Sequence, residues 1–158
     1  MEKILISACL YGEAVRYDGQ HNRLTHRVLQ QWKAQDRLIV FCPEVSGGLP
    51  TPRPPAEIQP DGQIKDSTGA NVTAAFQAGA ARALALCQQH QIQLALLKEN
   101  SPSCGSQFIY NGRFAGIKMP GQGQTTAVLR AHGIRVFSEN QIDELAAVLA
   151  ASDPLQSR

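Results

Sequence analysis

The 158-residue chain has no apolar run long enough to span a bilayer. Its first residues, Met1-Glu2-Lys3-Ile4-Leu5-Ile6-Ser7, enter a strand pattern at once and show neither the apolar core nor the cleavage site of a signal peptide. Net charge is only +2, too small to suggest a nucleic-acid polymer or a charged membrane surface as partner. There is no internal repeat and no low-complexity segment. The phosphatase spacing of Cys, five residues and Arg is absent: six residues separate Cys9 from Arg16, and Cys42 has no Arg at that distance. No Walker loop occurs, and Gly47-Gly48 lacks the strand–turn–helix setting of a dinucleotide fingerprint. The four histidines, His21, His26, His90 and His132, show no ligand spacing. These absences point to a cytoplasmic protein, expected as a monomer or homodimer. In that compartment its four cysteines are expected as ligands, nucleophiles or buried filler rather than disulfides.

What is present centres on residues 42–57, Cys-Pro-Glu-Val-Ser-Gly-Gly-Leu-Pro-Thr-Pro-Arg-Pro-Pro-Ala-Glu. This segment follows an apolar run at 38–41 that reads as a buried strand. Its Pro and Gly density predicts a stiff loop without helix, carrying a thiol and a carboxylate at a strand end. The rest alternates. Strands are predicted at 3–8, 37–41, 93–97 and 134–137. Helices are predicted around Leu24, Val28, Leu29 and Trp32, at 72–89 behind an Asn71 cap, at 125–132, and after a capping box at 138–141. Ile142, Leu145 and Leu149 form the core face of the last helix. Asp61-Gly62 predicts a small hairpin or flap, and Asn111-Gly112 a second hairpin with a type I′ turn. This is the pattern of a single α/β domain over 1–151, a parallel sheet with helices on both faces in flavodoxin-like or Rossmann-like order, and a loose tail from 152 to 158.

In such a sheet, ligands bind beyond the carboxyl ends of the strands. Cys9 ends the first strand and Cys42 the second, while Ser101 and Cys104 follow the third, so three thiols are expected to meet at one sheet edge. Cys87 lies on an apolar helix face and is expected to be filler. Three thiolates select zinc or an iron–sulfur cluster. Structural zinc wants four protein ligands, whereas a cubane held by three cysteines leaves one iron open. Glu44 is placed to move protons, and Ser101 to donate a hydrogen bond, orient water or act as a nucleophile. Lys98-Glu99 reads as an exposed ion pair worth little.

Three blocks together resemble the thiouracil desulfidase family: Cys9-x-x-Gly12 with Arg16-Tyr17-Asp18-Gly19; Cys42-Pro43-Glu44-Val45-x-Gly47-Gly48-Leu49-x-x-Pro52-Arg53-x-Pro55-x-Glu57; and Lys98-x-x-Ser101-Pro102-Ser103-Cys104-Gly105. The resemblance implies a [4Fe-4S] cluster on Cys9, Cys42 and Cys104 that binds the sulfur of a thiolated pyrimidine base or nucleoside. Water would replace sulfur without net electron transfer, giving uracil and hydrogen sulfide, with Glu44 and Ser101 as the catalytic pair. Substrate contacts are expected from the backbone N–H groups of Gly47 and Gly48, the Ser103 side chain, and Arg16, Tyr17 and Arg53. Two other readings stay open: a non-catalytic iron–sulfur or zinc module that senses redox state, and a metal-free thiol enzyme.

Overall fold

A computed structural model describes residues 2–152. Four strands, β1 (Ile4–Ser7), β2 (Leu38–Phe41), β5 (Leu94–Leu97) and β8 (Arg135–Ser138), form one sheet in the order β2-β1-β5-β8. All three pairings are parallel, with Ile4 opposite both Leu38 and Leu94. The chain steps outward from β1 to β2, then returns across β1 to β5. The order therefore reverses between β1 and β5, the place beyond the strand ends where open α/β sheets bind their ligands.

Alternation along the strands builds a core on each face. Ile4, Ile6, Leu94 and Leu96 pack with Leu29 and Trp32 of α2 (Arg27–Ala34) and with Ile142, Leu145 and Leu149 of α6 (Ile142–Ser152). Leu5, Ala95 and Leu97 pack on the other face with Ala83 and Cys87 of α4 (Thr73–His90) and Leu129 of α5 (Gln124–Ala131). The result is a three-layer α/β structure, as the strand–helix alternation predicts. Among the described residues no helix is long and apolar enough to cross a membrane.

Two outlying hairpins complete the fold: β3 (Ala56–Ile58) with β4 (Ile64–Asp66), and β6 (Phe108–Tyr110) with β7 (Lys118–Pro120). The first matches the expected Asp-Gly hairpin. The second corrects a prediction, because Asn111-Gly112 does not close a two-residue turn. The connection runs from 111 to 117, drawn out by Glu57, whose Oε1 accepts from the backbone N–H groups of Gly112 and Phe114.

Other boundaries also move. The helix expected to begin near Leu24 has only eight residues; it starts after His26, whose ring Nδ1 accepts the N–H of Val28 and caps it. The helix expected from Val72 behind an Asn71 cap begins at Thr73, with Val72 in the cap position; Asn71 lies one residue earlier, and its Oδ1 accepts the Thr73 N–H. The box at 138–141 is present, but it caps a 3₁₀ turn (Glu139–Gln141) that leads into α6. Ser152 closes α6; the remainder of the predicted tail lies outside the described residues.

The predicted helix-free loop after β2 is also corrected. Pro43–Ser46 form a one-turn helix, α3, with proline at its first position. There a missing N–H costs nothing and the fixed φ suits the helix. The turn packs directly on α4 because Gly47 and Gly79 lack side chains. A Cβ on Gly79 would collide with the Pro43 carbonyl, and one on Gly47 with the Ala75 carbonyl. Gly79→Ala is expected to destabilise the protein by about 1–3 kcal/mol, the usual cost of forcing a group into a packed contact, despite alanine's better helix propensity. Urea unfolding of the two proteins checks this; equal midpoints would refute the close-packing account.

Candidate active site

Cys9 lies in a one-turn helix, α1 (Ala8–Tyr11), immediately after β1. Cys42 is the residue that precedes α3, at the end of β2. Cys104 closes the turn that begins at Ser101, whose carbonyl accepts the Gly105 N–H beyond β5. All four cysteines are free; Cys9 and Cys42 are half-buried, Cys87 and Cys104 buried. Burial pushes the Cys9, Cys42 and Cys104 thiols above their ordinary range. The charge of Glu44 adds to the rise at each of them. Cys42 acts on Cys104 as well. Each of these three cysteines follows a different strand of the parallel sheet, β1, β2 and β5, at its carboxyl end. Cys87 stands apart in the core behind the sheet, its thiol pushed up to about 11 by burial.

Each sulfur has its own donors. The backbone N–H groups of Val45 and Glu44, at the start of α3, point to Cys42. The hydroxyl of Ser7 donates to Cys104 Sγ at 3.7 Å, and that of Ser103 also serves this sulfur. The Asn22 side-chain amide serves Cys9. Hydrogen bonds of this kind favour the thiolate, the form that binds metal. The donor set is all sulfur, which suits an iron–sulfur cluster. Among the described residues no three His, Cys, Asp or Glu side chains converge tightly enough to grip one ion. A cubane spreads its ligands more widely than the single zinc considered above, and the all-sulfur donor set is the kind it takes.

Glu44 keeps 19% of its side-chain exposure and pairs with Arg53 at 3.2 Å. Burial raises its carboxyl above the usual range, against the opposing pull of the Arg53 charge and hydrogen bonds from Arg53 and Ser101. Ser101 Oγ accepts the N–H groups of Ser103 and Cys104, both at 3.0 Å. Those two bonds occupy its lone pairs and leave its O–H to donate to Glu44.

The expected substrate contacts fare differently. The Gly47 N–H donates to the Pro43 carbonyl and the Gly48 N–H to that of Val45, so both are consumed within the α3 turn and neither is available to a ligand. Ser103 is fully buried and shares a hydrogen bond with Thr125 Oγ1 at 2.8 Å, so its hydroxyl supports Cys104 instead of reaching substrate. Arg53, 6% exposed, is committed throughout: Nε to Glu44, Nη1 to the Pro50 carbonyl and Thr51, Nη2 to the Val15 carbonyl. Arg16 binds Asn22 and Asp18. Tyr17 alone among the six retains an exposed side chain, with the Arg16 guanidinium 5.9 Å from its ring centre.

Comparison with known proteins bears on this geometry. The family model for 2-thiouracil desulfurase matches residues 4–141, which include every residue of the site. The chain belongs to the 2-thiouracil desulfurase family. The solved structure of the [4Fe-4S]-dependent thiouracil desulfidase TudS is 56% identical, covers 96% of this chain and 99% of its own, and superposes with a TM-score of 0.93. The uncharacterized protein YbbK of Bacillus subtilis (strain 168) is 40% identical over 151 residues, 90% of this chain and 99% of that protein.

In this desulfurase fold, several residues that hold the site were missed or misread from sequence. Glu99, expected in an exposed pair, is only 6% exposed. Its Oε1 accepts the N–H groups of Asn100, Ser106 and Gln107, and its Oε2 accepts the Ser106 hydroxyl at 2.7 Å. The carboxylate thus closes the loop that carries Ser101 and Cys104. Lys98 pairs with Glu139 at 2.8 Å, not with Glu99, and its charge favours the Cys9 thiolate. Ser7 and Asn22 carried no signal beyond their positions near Cys9.

Glu99 makes a testable contribution to stability. Burial alone would raise its carboxyl, but the bonds from Ser106, Asn100 and Gln107 outweigh burial and hold it below its ordinary value. The unfolded chain therefore takes up the proton first as pH falls. Stability from this group is full above the unfolded value and is lost as pH drops through the folded one. Glu99→Gln is expected to flatten the acid side of the stability–pH curve. Glu99→Ala should cost about 1–3 kcal/mol at neutral pH by stranding buried donors. Chemical denaturation across pH checks both, and an unchanged acid limb in Glu99→Gln would refute the assignment.

Proposed function

We propose that the chain is a thiouracil desulfidase that converts a thiolated pyrimidine and water to the corresponding uracil and hydrogen sulfide. The unit spans residues 1–151 as one domain, with Cys9, Cys42 and Cys104 holding a [4Fe-4S] cluster. Family membership supports the reaction, and the observation that supports the site is that three cysteines follow three parallel strands at their carboxyl ends, each within range of the Glu44 charge. When bound, the cluster supplies a Lewis-acidic iron without a protein ligand, suited to the sulfur of a thiocarbonyl.

The chain's own residues supply the proton chemistry. Water adds at the ring carbon as sulfur leaves, so both of its protons must pass from oxygen to sulfur, one after the other. Glu44, with its raised carboxyl, is placed to take the first and return it. Ser101 is the partner: two backbone N–H groups stabilise negative charge on its Oγ, and its hydroxyl proton lies on the path to Glu44. Arg53 holds Glu44 and joins the loop after β2 to Val15 in the loop after β1. Tyr17 offers an exposed ring on that same loop for a pyrimidine to pack against.

The reading is tested by loading the protein with iron and sulfide under anaerobic conditions and adding 4-thiouracil. Loss of the thiocarbonyl absorbance, matched by sulfide release and dependent on the cluster, is the expected result. A stably loaded protein that leaves 4-thiouracil and its nucleoside untouched would favour the redox-sensing module instead.

A further inference from the structure

Asn22 stands out from the other donors to the three sulfurs. Cys42 is served by backbone N–H groups that a side-chain change leaves in place, and Cys104 by two hydroxyls. Cys9 depends on one side-chain amide. That amide is held from two directions. The backbone N–H of Asn22 donates to the Cys9 carbonyl at 2.9 Å, which sets the residue beside Cys9 whatever its side chain. Its Oδ1 accepts from Arg16 Nη1 at 2.9 Å, and Arg16 is anchored in turn by Asp18 at 3.0 Å. A side-chain amide has one acceptor end and one donor end. With Oδ1 committed to Arg16, the N–H₂ end is the part of the side chain left to serve the sulfur.

We infer that Asn22 is a positioning residue for the cluster, oriented by the Arg16–Asp18 pair so that its amide N–H donates to the Cys9 thiolate. The inference rests on the desulfidase reading and deepens it, because it gives Arg16 a task other than gripping substrate. An N–H···S bond withdraws charge from the ligand sulfur, which stabilises the more negative, reduced cluster and raises its potential. It also holds Cys9 in the rotamer that faces the cluster.

The discriminating variant is Asn22→Asp. It keeps the size of the side chain, the backbone bond to Cys9 and a partner for Arg16, but replaces the donor facing Cys9 with an acceptor. Wild-type and variant proteins are loaded anaerobically and compared by the midpoint potential of the cluster and by its rate of loss to an iron chelator. Asn22→Asp and Asn22→Ala should both shift the potential to more negative values and lose the cluster about 10–100-fold faster, the usual scale for a lost partner to a metal ligand. Arg16→Met should give a smaller shift of the same sign. An Asn22→Asp protein with wild-type potential and cluster lifetime overturns the inference. So does an Arg16→Met protein whose only defect is a raised KM. A wild-type protein that takes up no cluster removes the desulfidase reading along with it, whereas a loaded wild type and an indifferent Asn22→Asp remove this inference alone.

Discussion

Alanine at Cys9, Cys42 or Cys104 is expected to abolish stable [4Fe-4S] binding and all turnover, while Cys87→Ala loads a full cluster and keeps its activity. The contrast follows from place in the fold. The first three thiols sit where the chain leaves β1, β2 and β5, on the two sides of the point where strand order reverses. Each has hydrogen-bond donors for its thiolate form. Cys87 is 1% exposed between the sheet and α4, among apolar neighbours that offer its sulfur nothing but contact. Losing that contact should cost about 1 kcal/mol of stability, the ordinary size of a point change. Iron and sulfide content after anaerobic loading, together with the visible spectrum, decides the matter. A Cys87→Ala protein unable to form the cluster would mean that the ligand set has been misidentified.

Glu44→Gln is expected to lower kcat by about 10²–10⁴-fold, the range for loss of a proton-transfer group, at unchanged cluster content. The amide retains an oxygen for the Arg53 guanidinium, and Arg53 keeps its bonds to Pro50, Thr51 and Val15, so the loop geometry survives. What is lost is the titratable carboxyl, together with the charge it sets opposite Arg53. Ser101→Ala is a less clean test of chemistry, because it also strands the N–H groups of Ser103 and Cys104 and so disturbs a ligand-bearing turn. Steady-state kinetics on protein matched for iron content checks the prediction. A Glu44→Gln enzyme with wild-type kcat would assign proton transfer elsewhere.

The strand exits were legible in the sequence, and the expected place of the reactive groups follows from them by a coarse rule. Apolar runs mark strands, parallel strands share a carboxyl edge, and residues just past those runs meet there. That rule needs no side-chain detail, and it places Cys9, Cys42, Glu44, Ser101 and Cys104 together. What it misses is where each polar group finds its partner. Gly47 and Gly48 look like free backbone donors in a Pro-rich stretch, but proline at the first position of α3 starts a turn that consumes both N–H groups. Ser103 carries a hydroxyl in a motif, and nothing local shows that Thr125, far along the chain, buries and bonds it. Glu99 beside Lys98 suggests an exposed ion pair until the loop folds back and delivers the N–H groups of Ser106 and Gln107 to its carboxylate. Asn111-Gly112 has the composition of a tight turn, yet a more distant carboxylate, Glu57, claims the backbone around it. For Gly47 and Gly48 the deciding bonds are local, inside the α3 turn, whereas for Ser103, Glu99 and Asn111-Gly112 a partner elsewhere in the chain overrides the local signal.

The most direct test of hydrolytic desulfuration at the three-cysteine site is turnover of 4-thiouracil in ¹⁸O-labelled water, without oxygen and without any reductant, by cluster-loaded protein. Uracil carrying the label at the carbon that bore sulfur, formed in equal amount with sulfide and only when the cluster is present, is the result this mechanism predicts. Equal turnover by metal-free protein, or turnover that needs an electron donor, would contradict it.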